Sequence, residues 1–157
     1  MEAYFDNSAT TIVTDSVKDI VVKTMTEDFG NPSAMHMVGV KAEKYIKEAQ
    51  ENIAKILKVD PKEIFFTSGG TESNNMAIIG TAMANKRKGN KIITTSVEHS
   101  SVLATMKYLE EQGFEVIYLP VDRYGVVQME ALEKEMTEDT ILVSTMYVIM
   151  KLEQLSR

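Results

Sequence analysis

The sequence has no cysteine and no tryptophan, only three prolines and two histidines, and fewer basic than acidic side chains, 17 against 23. Each shortage excludes something. Without cysteine there is no disulfide scaffold, no thiolate metal site and no cysteine nucleophile on this chain. A net charge of −6 argues against a nucleic-acid partner. Such partners call for a basic face that displaces phosphate counterions. Long apolar runs are missing too. The longest uncharged stretches fall short of a membrane span, and Met1-Glu2-Ala3-Tyr4-Phe5-Asp6 has neither the basic start nor the apolar core of a signal peptide. The expectation is a cytoplasmic protein with no membrane partner. What is present is ordinary for a globular chain: 157 residues, 44% hydrophobic and 25% charged, enough for one domain with a real core. Eleven methionines are many, and scattered methionine reads as flexible core filling.

Periodicity predicts alternating helices and strands. Val17, Ile20, Val21 and Met25 share one face of a helix over 15–28. Gly30-Asn31-Pro32-Ser33 stops it, with Gly30 suited to a left-handed cap and Pro32 biasing Asn31 away from helix. A second helix over 38–58 turns Ala42, Tyr45, Ile46, Ala49, Ile53, Ile56 and Leu57 inward. Its charged residues, from Lys41 to Glu51, form a solvated face of i,i+3 and i,i+4 pairs. Ile64-Phe65-Phe66-Thr67 reads as a short strand. Further helices follow over 71–88, 100–112 and 129–136, and strands over 91–95, 115–119 and 141–146. Lys86-Arg87-Lys88 reads as compensation of a helix dipole. The alternation implies an α/β fold with a mostly parallel sheet flanked by helices, and ligands at the carboxyl ends of its strands.

Two segments fall at that edge. Thr67-Ser68-Gly69-Gly70-Thr71-Glu72-Ser73-Asn74-Asn75 joins a strand to a helix. Its glycines let backbone approach a ligand, and the helix start offers free N–H groups, with the hydroxyls of Ser68, Thr71 and Ser73 beside them. It is neither a Walker loop nor a dinucleotide fingerprint. It suits either a phosphate or a tight turn with Ser68 or Thr71 as a plain N-cap. Glu98-His99-Ser100-Ser101 follows the next strand. His99 suits stacking on a flat ring or moving a proton, and equally a plain hydrogen-bonding role at a helix start. No cluster of metal ligands stands out.

Four segments, in this order, resemble the NifS-like cysteine desulfurases of the class V aminotransferase group, enzymes of pyridoxal-phosphate fold type I. They are Tyr4-Phe5-Asp6-Asn7-Ser8-Ala9-Thr10-Thr11, Gly30-Asn31-Pro32-Ser33 with His36 and Gly39, Phe66 to Asn75, and Glu98-His99-Ser100-Ser101-Val102-Leu103. The resemblance implies the N-terminal part of the large domain over 1–148. It also implies a pyridoxal 5′-phosphate cofactor, held weakly and without a covalent bond by this chain alone. Gly70 and Thr71 would hold the cofactor phosphate, and His99 would stack on the pyridine ring. Ser8 to Thr11 would lie near the substrate and His36 near a homodimer interface. The implied reaction converts L-cysteine to alanine and leaves persulfide sulfur for iron–sulfur cluster or thiolation pathways.

The chain departs from that family in length. Members are more than twice as long. Their Schiff-base lysine, the aspartate on the pyridine nitrogen, the carboxylate-binding arginine and the persulfide cysteine lie beyond the matching part. No catalytic residue is therefore assigned here, and the chain alone is expected to be inactive. The family continuation after Val148 is Asn-Asn-Glu-Ile-Gly-Ala-Val-Glu-Pro-Ile. Loss of one A from an AAA run in suitable codons turns it into Ile-Met-Lys-Leu-Glu-Gln-Leu-Ser-Arg, residues 149–157 as they stand. The expectation is a frameshift-truncated fragment with an out-of-frame tail. Two other readings stay open: a non-catalytic dimerisation or complementation module, and a piece of another class V enzyme such as a selenocysteine lyase or an aminotransferase.

Overall fold

The computed structural model describes residues 3–7 and 9–147. Position 8 of the substrate-side segment and the divergent tail over 149–157 lie outside the described residues. The chain divides into two compact units, one running to Phe66 and the other starting at Thr67.

The first unit holds two helices, α1 (Asp15–Thr26) and α2 (Met37–Leu57), and a 3₁₀ turn at Pro61–Glu63. Both helices form where periodicity places them, but their apolar faces are only partly covered. In α2, Ala42 and Ala54 are buried, whereas Ile46, Ile56 and Leu57, expected inward, are exposed. None of α1 is buried; Val17, Ile20, Val21 and Met25 all face solvent. Periodicity reports which face is apolar, not whether a partner covers it.

What holds this unit at its centre is polar. The Asp28 carboxylate is fully buried. Lys41 Nζ lies 2.5 Å from Oδ1, Tyr45 OH donates to Oδ2 at 2.6 Å, and Lys23 Nζ stands 3.8 Å away. Lys41 thus stays largely exposed on the solvated face expected of it, yet its ammonium neutralises a buried charge. Only Lys47–Glu43, at 2.9 Å, forms an i,i+4 ion pair on that face among the described residues.

Gly30 does not adopt a left-handed cap, since the positive-φ glycines are Gly113 and Gly125. It is required for proximity instead. A Cβ on Gly30 would sit 2.2 Å from the Val38 carbonyl oxygen, and one on Gly39 2.3 Å from that of Ala34. The turn between α1 and α2 is packed backbone against backbone.

The expected strand over 64–67 is absent. That stretch pairs with no strand among the described residues, and Phe65 and Phe66 are exposed. β-propensity alone makes no ladder; a strand needs a partner's backbone. The Ile64 carbonyl instead accepts the Gln50 amide at 2.9 Å.

The second unit is the α/β part. Helix α3 (Gly70–Asn85) precedes β1 (Lys91–Thr95), α4 (Ser100–Glu111), β2 (Glu115–Leu119), α5 (Met129–Glu135) and β3 (Thr140–Val143). The three strands form a parallel sheet in the order β2-β1-β3. The central strand, β1, is buried from Ile92 to Thr95, as a parallel strand flanked on both edges is expected to be. Ile92 packs with Ile78 and Ala82 of α3, Val102, Met106 and Leu109 of α4, and Phe114. The third strand is shorter than expected because its edge changes partner. Ser144 N still donates to Ile93 O at 2.9 Å, but Met146 N donates to the Glu98 carboxylate at 2.8 Å.

The basic run after α3 also acts elsewhere. Lys86 Nζ donates to the Gln112 carbonyl at the end of α4, at 3.2 Å, and lies 5.1 Å over the Phe114 ring. It compensates the dipole of α4 rather than of its own helix. Gly89, between α3 and β1, is again a close approach: a Cβ there would meet the Asp139 carbonyl oxygen at 2.3 Å.

Candidate functional site

The glycine loop and His99 belong to the same unit, at the N-termini of α3 and α4. The loop is braced from behind. Ser68 donates both its N–H and its hydroxyl to Glu72 Oε2, each at 2.7 Å. These bonds, the hydroxyl first, hold the Glu72 carboxyl below its usual range. Thr67 Oγ1 donates to the Gly69 carbonyl at 3.1 Å and lies 2.6 Å from Ser73 Oγ. The hydroxyls of Ser68 and Ser73, expected to face a ligand, are therefore occupied inside the loop.

The front of the loop is different. The N-cap is Gly69, which offers no side chain to the helix, so neither Ser68 nor Thr71 is a plain N-cap. The first intrahelical bond is Ser73 N to Gly69 O, at 3.1 Å. The N–H groups of Gly70 and Thr71 precede it and find no acceptor among the described residues. No heavy atom lies within 4 Å of where a Cβ on Gly69 or Gly70 would stand. Thr71 lines an open groove with Ser68, Glu72, Asn75, Met76 and Ile79. An uncapped start of a 16-residue helix, with the open space in front of it, suits an anion.

His99 is the N-cap of α4. Its Nδ1 accepts the Ser101 backbone N–H at 3.1 Å and lies 2.8 Å from Ser101 Oγ. The ring is nevertheless exposed. The helix-capping role and an exposed ring face coexist, because capping uses only one nitrogen.

Sequence reasoning missed the polar ties between these helices. Asn74 Nδ2 donates to Ser101 Oγ at 2.9 Å, and Thr105 Oγ1 donates to Asn75 Oδ1. It also missed Glu98, whose buried carboxylate accepts from Thr95 Oγ1 at 2.7 Å as well as from Met146 N. The Asn-Asn pair inside the loop motif was the available signal. Asn74 and Asn75 lie one turn past the loop, where amides can only serve a neighbouring helix or solvent. Among the described residues, no three side chains are grouped to hold a metal ion, and no helix is long and apolar enough to cross a membrane.

Known proteins share this arrangement. The family model described as aminotransferase class-V matches residues 3–150. Cysteine desulfurase IscS 1 of Archaeoglobus fulgidus is 48% identical over 144 residues, which are 92% of this chain and 38% of that protein. Cysteine desulfurase IscS of Methanosarcina thermophila is 50% identical over 144 residues, 36% of its length. A solved structure titled NifS-like protein superposes with a TM-score of 0.87 at 47% identity, over 95% of this chain and 41% of that one. The chain thus spans well under half the length of the relatives it matches. By the match over residues 3–150, carried by a parallel α/β unit with the glycine loop and His99 at its helix starts, the chain belongs to the aminotransferase class-V family.

Proposed function

We propose that this chain supplies the phosphate-holding and ring-facing part of a pyridoxal-phosphate-dependent cysteine desulfurase, and that residues 1–148 correspond to the N-terminal part of its large domain. The observation that carries the reading is the uncapped start of α3. There the N–H groups of Gly70 and Thr71 find no acceptor among the described residues, while the hydroxyls of Thr67, Ser68 and Ser73 and the Ser68 N–H are tied back within the loop. The residues present fit the cofactor. Two backbone donors and the Thr71 hydroxyl would hold its phosphate, on the positive end of a long helix. The exposed His99 ring would lie against its pyridine.

When bound, pyridoxal 5′-phosphate supplies an electron-withdrawing ring that eases bond breaking around an amino acid's α-carbon. The chain's own residues bind and orient: Gly70 and Thr71 fix the phosphate end, and His99 limits the tilt of the ring. The substrate on this reading is L-cysteine, with alanine and persulfide sulfur as products. The relatives named IscS suggest iron–sulfur assembly as the use of that sulfur. The working form is a homodimer of the full-length enzyme, in the cytoplasm.

Residues 1–147 contain neither a cysteine to carry persulfide nor a residue assigned as the aldimine lysine. The chain alone therefore performs no desulfuration. The test supplies the rest in trans. The purified chain, given pyridoxal 5′-phosphate and L-cysteine, yields no alanine above the rate of the free cofactor. Co-refolding with the non-matching 62% of the A. fulgidus relative's length restores alanine release, and Thr71→Val lowers that restored rate. Turnover by the chain alone, or restoration indifferent to Thr71, overturns the proposal.

A further inference from the structure

We infer that Asn74 and Ser101 are positioning residues that lock the His99 imidazole in one tautomer, with Nδ1 bare and the proton on the outward Nε2. A backbone N–H can only donate, and the Ser101 N–H points at His99 Nδ1 from 3.1 Å. Nδ1 must then be an acceptor, and in the neutral ring the proton sits on Nε2. Ser101 Oγ lies 2.8 Å from the same nitrogen. With Nδ1 bare, the hydroxyl has to donate as well. Asn74 enforces that direction, because its amide Nδ2 donates to Ser101 Oγ at 2.9 Å and uses the oxygen's acceptor side. The chain of donors runs one way, from Asn74 to Ser101 to His99.

The placement of these groups makes the lock effective. Ser101 is buried and Asn74 half-buried, so water competes little for their bonds. Asn74 sits in the first turn and a half of α3, and Ser101 in the first turn of α4. The relay therefore also links the helix start bearing Gly70 and Thr71 to the one bearing His99. The exposed ring offers its face and a single N–H donor, Nε2–H, to whatever stands in front of it. What that donor serves rests on the reading of His99 as the cofactor's ring partner. The tautomer itself does not.

The test is long-range proton–nitrogen NMR of the ¹⁵N-histidine-labelled chain at neutral pH, without cofactor. His99 is expected to show a bare Nδ1 and a protonated Nε2, with no averaging between them. Ser101→Ala removes one of the two donors to Nδ1. It should shift the tautomer ratio toward Nδ1–H by about tenfold, the order of one hydrogen bond, and Ser101→Thr should restore it. Asn74→Ala frees the hydroxyl to rotate and should shift the ratio the same way, by less. It is the second variant should Ser101→Ala fail to fold. A wild-type ring that averages its tautomers or protonates Nδ1, or variants that leave the ratio unchanged, overturns the inference. Adding pyridoxine 5′-phosphate to the same sample separates the two claims. A fixed tautomer that this ester never perturbs keeps the positioning role and removes the cofactor reading.

Discussion

Replacing Ile92 by alanine tests whether the parallel sheet holds the site as described. Ile92 is wholly inaccessible in the central strand β1, against α3 and α4. The substitution removes three carbons, worth about 2.4 kcal/mol at roughly 0.8 kcal/mol per buried methylene. The residues around it belong to two helices and both flanking strands, so the gap closes only in part. A cavity term brings the expected cost to about 3–4 kcal/mol, inside the roughly 2–5 kcal/mol range for such truncations. The control is Ile56→Ala in α2, at a side chain 78% exposed. Its expected cost is within about 0.5 kcal/mol. Urea denaturation followed by circular dichroism, at constant slope, measures both. Equal costs, or a loss below about 1 kcal/mol at Ile92, would refute the placement of the core.

Gly30→Ala forces a Cβ to 2.2 Å from the Val38 carbonyl oxygen, and is expected to destabilise the first unit by about 1–3 kcal/mol. Gly69→Ala, with nothing in reach of its Cβ, is the benign counterpart in the same denaturation assay. The buried carboxylate predicts a pH dependence. The Lys41 ammonium first, then the Tyr45 hydroxyl, hold Asp28 below the usual aspartate range. Its contribution is thus complete above the unfolded-state value of about 4 and is lost as pH falls through the depressed one. Wild type should exceed Asp28→Asn in stability at neutral pH, and the gap should narrow only in acid. A gap constant down through that range contradicts the ion pair.

The alternation of helices and strands was legible because each element carries its own period, and β1 and β2 fall where the apolar runs place them. Three things were not. Whether an apolar face finds a cover is a tertiary fact, and α1 shows the right stripe with no burial. Whether Phe65-Phe66 becomes a strand depends on a partner's backbone, which a local pattern does not contain. Gly30, read as a left-handed cap, proved to be a point of backbone contact with Val38, and Gly89 one with Asp139, requirements set by residues outside the local pattern. At the site, His99 was readable from its place after β1, and Gly70 and Thr71 from the glycine pair that opens a helical pattern, although the strand expected before them does not form. The hydroxyls that turn inward are set by side-chain bonds within the loop, and the contact between Asn74 and Ser101 by a neighbouring helix, neither of which a local pattern contains.

The central claim is that the start of α3 holds the cofactor's phosphate. Calorimetric titration with pyridoxine 5′-phosphate and with pyridoxine measures it most directly, since neither carries an aldehyde to react with surface lysines. The chain is expected to prefer the phosphate ester by at least about tenfold, the worth of one charge-assisted hydrogen bond of roughly 1.5 kcal/mol, and Thr71→Val to reduce the preference. Equal affinity for the two compounds, or a preference that survives Thr71→Val unchanged, would contradict it.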